Sequence, residues 1–342
     1  MARTPPPAYV IESGDIARDG KGVFELAREE IRGFTHLHYS KYYETNPVGG
    51  PIFVVARDAS SGTIVGTAAL HPAEFVVGGN AHLGCVAGDF AVASRQRVFG
   101  PALALQRALT AQAEACGFSF SLGLPGNDAG GILARVGYRE LAPGTRQARL
   151  LDTREALDAL RRHGGPARQL GHTLRPWRTR RALRGYTAEP VAEFDESFAA
   201  VWEAMELRTP LGTRRTAVIL NWKFERRHAS GRFALLAVRR SDGAVAAYAV
   251  SYDADGVRHL AELAWLDRGA LRAVLAAEIE RGRLDGLSAL DLLQFGADAE
   301  LAAALEEVGF FATPAIAMTA LPLGEAPAGL CGCLFFEGAI DL

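Results

Sequence analysis

The run VASRQRVFGPALALQRAL, from Val92 to Leu109, gathers features that bind anions. An apolar segment ends at Ala93, Arg95 and Arg97 follow, and Gly100-Pro101 opens a helical pattern with Leu105 and Leu109 four residues apart on one face. The first N–H groups of a helix have no partner within it, and the helix dipole adds partial positive charge at that end. Phosphate binds at such ends. Gly100 has no Cβ to hold a ligand oxygen away, and Pro101 at the first helical position lacks only an N–H that would be unpaired anyway. One acid, Asp89, stands just upstream in the apolar run GCVAGDFAVA. It is read either as a base serving this site or as a strand-end carboxylate bonded to backbone. His71 and His82, which flank the turn FVVGGNA, are weaker candidates for the same role.

Other chemistry is sparse. Eight histidines are scattered, with His36 and His38 the one close pair, and no CxxC or HExxH occurs, so no metal site is expected. Four cysteines are too few for a disulfide scaffold, and Cys331-Gly-Cys333 reads as two small strand residues in LCGCLFF. Lysine and arginine number 37 against 39 acidic residues, so no global field points to DNA or an anionic membrane. MARTPPPAYV lacks the apolar core of a signal peptide, and no apolar run is long enough to span a bilayer. The expectation is a cytoplasmic protein, monomer or homodimer. Its 342 residues suggest two domains.

The elements that must carry these residues alternate between helix and strand. Phe24 to Tyr43 reads as a helix, IFVVA and TIVGTAAL as strands, and FSFSLGL as a strand after the Pro101 helix. A short helix follows Asn127, and Val136-Gly-Tyr138 begins another strand. The second half repeats this order. Shifting the sequence by 182 residues lays KYYETNPVGGPIFVVAR over KFERRHASGRFALLAVR, so Lys41 meets Lys223. One deletion later GTIVGTAA meets GAVAAYAV, GDFAV meets AELAW with Asp89 over Glu262, and LARVGY meets LEEVGF. This reads as a duplicated unit: residues 1–150, a connector at 151–188, and residues 189–342. The connector holds eight arginines from Arg161 to Arg184 and no acid between Ala159 and Ala188. It is a solvated basic linker, a docking strip for an acidic partner such as an acyl carrier protein, or a basic membrane contact.

The pattern V-x4-[RQ]-x-x-G-x-[GA], present as Val92, Arg97, Gly100 and Ala102, resembles the cofactor signature of the GNAT superfamily of acyl-CoA-dependent N-acyltransferases. The resemblance covers residues 20 to 142 and reaches the second half through the repeat. It implies an α/β fold of mixed, mostly antiparallel twisted sheet flanked by helices, in two GNAT-like units. It also implies a bulged strand whose backbone, Ala91, Val92 and Ala93, holds the pantetheine arm of acetyl-CoA or another acyl-CoA. The loop Arg97, Val98, Phe99, Gly100, Pro101 and Ala102 would hold the pyrophosphate, and Asn127 belongs to the same site. The implied activity is transfer of the acyl group to a primary amine, with Asp89 as the catalytic base. Tandem proteins of this look resemble accessory acylases of biosynthetic pathways. The alternatives are a carrier-protein or aminoacyl-tRNA donor, or an acyl-CoA-binding protein without catalysis. Two departures stand out. Where the family places a proton-donating tyrosine the sequence has Ile132 or Leu133, and the second half runs from HLAELAWLD directly into RGALRAVL without the loop.

Overall fold

The computed structural model describes residues 9–96, 100–126, 129–152, 181–225, 233–323 and 334–336. Arg97, Val98, Phe99 and Asn127 of the anticipated cofactor site lie outside the described residues, as do the arginines from Arg161 to Arg180, Cys331 and Cys333.

Among the described residues fourteen strands join in one sheet. In the first half, β1 (Tyr9–Ser13), β2 (Ile52–Asp58), β3 (Ile64–Val77), β4 (Asn80–Val92) and β5 (Phe120–Gly123) lie side by side. The second half lays down β12 (Ala289–Gly296), β11 (Val257–Trp265), β10 (Val245–Ala254), β9 (Ala234–Arg240) and β7 (Tyr186–Val191) in the reverse direction. Between these blocks stand β13 (Phe311–Pro322) and β6 (Arg139–Leu150), and they are exchanged: β13 pairs β5, β6 pairs β12, and the two pair each other. The order therefore reads the same from both ends. Offsets between matching strands follow the repeat seen in the sequence. Both ends of β2 and β9 differ by 182 residues, and both ends of β6 and β13 by 172. β4 runs parallel to β5, and β11 to β12; every other pairing among the described residues is antiparallel. The expected mixed α/β sheet is what forms. Two short strands lie off this path: β8 (Leu211–Thr213) extends the far end of β3, and β14 (Leu334–Phe336) pairs β12.

Helices cover the sheet, most of them through one apolar face. α1 (Ile16–Glu30), capped by the Asp15 side chain, buries Val23, Leu26 and Ala27. The helix expected from Phe24 to Tyr43 is in fact two. α1 stops at Glu30, Gly33 takes φ 85°, and the Thr35 hydroxyl caps α2 (His36–Tyr39), which runs on into a single π turn to Glu44. A glycine in the left-handed region followed by a good cap outweighs the apolar spacing that made the stretch look continuous. α3 (Ala102–Ala115) presses Leu105, Leu109 and Ala113 onto the first block, with Pro101 at its cap, one place before the expected first turn. Gly66 of β3 permits this contact, since a Cβ there would stand 2.8 Å from Leu105 Cδ1. α4 (Gly130–Arg135) completes the first half. α5 (Ala199–Arg208), α6 (Ala217–Lys223), α7 (Arg268–Leu284) and α8 (Ala299–Val308) cover the second. The halves meet over an aromatic core of Phe75, Phe120, Phe295 and Phe335. Lys41, on the π turn after α2, donates to the Lys223 carbonyl at the end of α6 (2.6 Å), so two residues matched by the repeat touch each other.

Candidate active site

β4 and β5 stay paired only from Cys85/Ser121 to Ala87/Gly123. Beyond that point β4 continues to Val92 while β5 ends, and a cleft of about 630 Å³ opens between them. Its walls are Ala87–Phe90 of β4, Gln106 of α3, Gly123–Gly126 after β5, Ala129 and Leu133 at α4, and Glu30–Phe34 with His38. The break between α1 and α2 is what brings this last segment over β4.

The wall of β4 is bulged. Thr67 and Ala69, two apart on β3, face Ala91 and Gly88, three apart on β4. The extra residue bends the strand and re-aims a side chain. Asp89, at this bulge, adopts φ 49°, a left-handed conformation that aspartate tolerates better than most residues and that is found where function demands it. Its side chain is almost fully buried, and both carboxylate oxygens are engaged. His38 Nε2 lies 3.0 Å from Oδ1, and His71 Nε2 lies 3.0 Å from Oδ2. Burial by itself would raise the Asp89 carboxyl. The hydrogen bonds from His38 and His71 outweigh it and hold the group well below the usual carboxylate range. An ionised carboxylate accepts only, so each histidine presents a proton on Nε2; in a neutral ring the lone pair is then on Nδ1. His38 lines the cleft, partly exposed, whereas His71 is buried and its Nδ1 has no partner among the described residues. The ring of Tyr42 stands 4.8 Å from His38 and 5.3 Å from His71. Tyr43 is buried beside Asp89; burial, then that carboxylate, push its hydroxyl well above its ordinary value.

The other anticipated residues fall around this centre. Ala91 and Val92 pack against α3 with Leu105 and Leu109, so the β4 part of the cleft wall stops one residue earlier, at Phe90. Ala93, with Ser94 and Arg95, borders a neighbouring cavity of about 360 Å³. Ser94 donates its backbone N–H (2.7 Å) and its hydroxyl (2.8 Å) to the Glu30 carboxylate. At Gly100 a Cβ would stand 2.2 Å from the Gln96 carbonyl oxygen, so the turn into Pro101 and Ala102 has room for glycine alone. Leu133 lines the cleft in the stretch that lacks the tyrosine. His82 faces Phe75 at the hairpin end and is not part of the cleft wall. Sequence reasoning missed His38, which it met only as half of an unpromising metal pair. The signal available was Thr35, a helix cap that breaks the apparent long helix and turns His38 toward β4.

In the second half, Glu262, matched to Asp89 by the repeat, also sits at a strand irregularity, opposite Val250. It is buried and clasped by Arg215, with Nε at 2.9 Å and Nη2 at 2.8 Å from Oε1. It does not join Asp89 in the cleft. Where β11 and β12 part, β6 takes one edge of β12, and β14 takes the opposite edge from Gln294 to Gly296, the edge that faces β11.

No family model matches the sequence, and no curated protein matches it. Solved structures do match its fold. A probable N-acyltransferase, otherwise of unknown function, from Enterococcus faecalis superposes with a TM-score of 0.68 at 13% identity, covering 93% of this chain and 73% of that one. A GCN5-related N-acetyltransferase from Anabaena variabilis gives 0.66 at 12% identity over 92% and 73%. The N-myristoyltransferase of Saccharomyces cerevisiae, solved with bound myristoyl-CoA, gives 0.57 at 14% identity over 95% and 82%. Likeness at these identities is one of fold, and the fold of this chain is that of the GCN5-related N-acetyltransferases.

Proposed function

We propose that the chain is an N-acyltransferase that moves an acyl group, acetyl or longer, from a CoA thioester to a primary amine by direct attack. His38 is the general base and Asp89 its anchor. The observation that carries this reading is the 3.0 Å contact between His38 and Asp89 at the bulge of β4, on the wall of the cleft between β4 and β5. The residues present suit acyl-CoA. The turn at Gly100 excludes any side chain, and the first turn of α3, whose N–H groups have no partner within the helix and no side-chain cap from Pro101, follows it. Arg97 to Ala102 would hold the pyrophosphate, and Ala91 to Ala93, with Asn127, the pantetheine side. The thioester supplies an activated acyl carbon.

An amine reaches the cleft mostly as ammonium at neutral pH and cannot attack until it loses a proton. Asp89, ionised, accepts the Nε2–H of His38 and so keeps Nδ1 bare. His38 takes the ammonium proton there, and Asp89 stabilises the imidazolium that forms. Leu133 offers no acid to the departing sulfur, so protonated His38 is the acid at hand. The domain reading goes with this proposal: residues 1–150 bind the donor, 151–188 connect, and 189–342 shape the acceptor side. Arg215, locked onto Glu262, removes the second carboxylate from chemistry.

The test is calorimetric titration with CoA, acetyl-CoA and a long-chain acyl-CoA, with Gly100→Glu alongside. Binding by the wild type and its loss in the folded variant are expected. No binding to any of the three would overturn the reading and turn attention to carrier-bound donors and the arginine strip. Unchanged affinity in Gly100→Glu would remove the loop from the site.

A further inference from the structure

The two histidines on Asp89 differ in what holds them. His38 belongs to a four-residue helix that continues into a π turn, whereas His71 sits within β3, paired on both sides to β2 and β4 nearby. We infer that His71 is a positioning residue: it fixes the Asp89 carboxylate from the sheet, so that Oδ1 can fix the His38 tautomer in the cleft. This inference rests on the reading of His38 as the base.

The reasons lie in the geometry of the bulge. Asp89 departs from the regular ladder, so β-sheet hydrogen bonding does not determine where its side chain points. A hydrogen bond from a residue on the regular ladder supplies what the bulge removes. His71 meets that need, 2% exposed at its side chain and 3.0 Å from Oδ2. Its own ring is set by Tyr42 and Tyr43, at 5.3 Å and 5.5 Å. Among the described residues Nδ1 of His71 has no partner, so a proton there would find no acceptor among them. That confines the His71 proton to Nε2, where it can only donate to Asp89. A chain of support results: sheet, His71, Asp89, His38, cleft. A catalytic side chain locked by a second layer on a rigid strand is held more closely than one placed by a short helix alone. The same features argue against His71 as a route for the substrate proton, because its Nε2 is already protonated and carries no lone pair toward Asp89.

The experiment compares wild type, His71→Gln, His71→Ala and His38→Gln in the full chain. Glutamine retains an N–H donor near the place of Nε2 but cannot titrate. The primary readout is the 15N spectrum of the His38 imidazole in the free protein, which needs no acceptor. A single Nε2–H tautomer is expected in wild type and His71→Gln, and a mixture in folded His71→Ala. Thiol release from acetyl-CoA with a panel of primary amines is the second readout. His71→Ala should lower kcat by roughly 10- to 100-fold, the scale of misplacing a catalytic group, with little change in KM for acetyl-CoA. His71→Gln should recover most of it. An unchanged His38 tautomer in His71→Ala, or glutamine behaving no better than alanine, would overturn the inference. Full turnover in His38→Gln would instead overturn the base assignment, whatever the spectra of the His71 variants show.

Discussion

Asp89→Asn keeps the shape of the site and removes one property, the ability to accept from two histidines at once. Asparagine tolerates the left-handed φ of 49° as well as aspartate does, so the bulge should persist. Its carboxamide offers one oxygen and one NH2, and the histidine facing the NH2 must present a lone pair on Nε2 and move its proton to Nδ1. The structure decides which histidine gives way. Moving the proton on His71 would bury an N–H without a partner, at a cost of roughly 1–3 kcal/mol, whereas His38 opens on the cleft. Asparagine therefore turns its NH2 to His38 and protonates the nitrogen that should act as base. With tenfold per 1.4 kcal/mol, the productive tautomer falls by a factor of roughly 5 to 150. The imidazolium also loses its counter-charge, and general base catalysis as a whole is worth about 10²- to 10⁴-fold. We expect kcat to fall at least about 100-fold, with the affinity for acyl-CoA nearly unchanged. Thiol release from acetyl-CoA measures the first, calorimetry the second, and the 15N spectrum should show His38 protonated on Nδ1. A variant with full kcat, or with His38 still protonated on Nε2, would refute the reasoning.

Two further predictions concern the frame around the site. Arg215→Met leaves Glu262 as an uncompensated buried carboxylate and should cost about 3–5 kcal/mol in urea unfolding. Adding Glu262→Leu should restore most of that and leave acyl-CoA binding intact; a well-folded double variant that no longer binds would put the pair in the binding machinery. Asp19, buried on α1 and bonded by Arg18, with Arg57 close by, has its carboxyl held down at about 2, against about 3.9 for a free aspartate. Such a group contributes stability that is complete above the unfolded value and lost as pH falls through the folded one. Asp19→Asn should therefore unfold more easily than wild type by up to about 2.5 kcal/mol at neutral pH, with a gap that narrows below about pH 4. A gap independent of pH would show that the ion pair is not its source.

The sequence disclosed the strands better than their partners. Strand content and offset follow from apolar spacing, which is why Ile52–Asp58 and Ala234–Arg240 could be matched across 182 residues. Arg139–Leu150 and Phe311–Pro322 carry no comparable sign that they change places. Pairing depends on which edge lies open when the strand arrives, and β5 and β12 each offer one that the other half can fill. At the site, the loop at Gly100 and the acid at Asp89 were legible because backbone chemistry and spacing are local. The contact of His38 with Asp89 joins residues 51 apart and depends on a helix break at Gly33 that apolar periodicity conceals.

The second half repeats the strand geometry of the first and fills it differently. Its strands keep the parallel pair and the irregularity opposite Val250, so the geometry that opens a cleft in the first half is present again. Two features set it apart from the first half. Arg215 pairs with Glu262, and β14 takes the free edge of β12 while Phe335 packs near Phe75 of the first half. A strand edge left unpaired inside a protein is costly, because buried N–H and C=O groups need partners. In the first half a bound donor can meet that need at β4; in the second the chain meets it with its own backbone. Under the proposed function the two halves would differ in what completes the sheet, a bound donor in the first and β14 in the second. The exchanged strands β6 and β13 pair with each other and so join the two halves in one sheet.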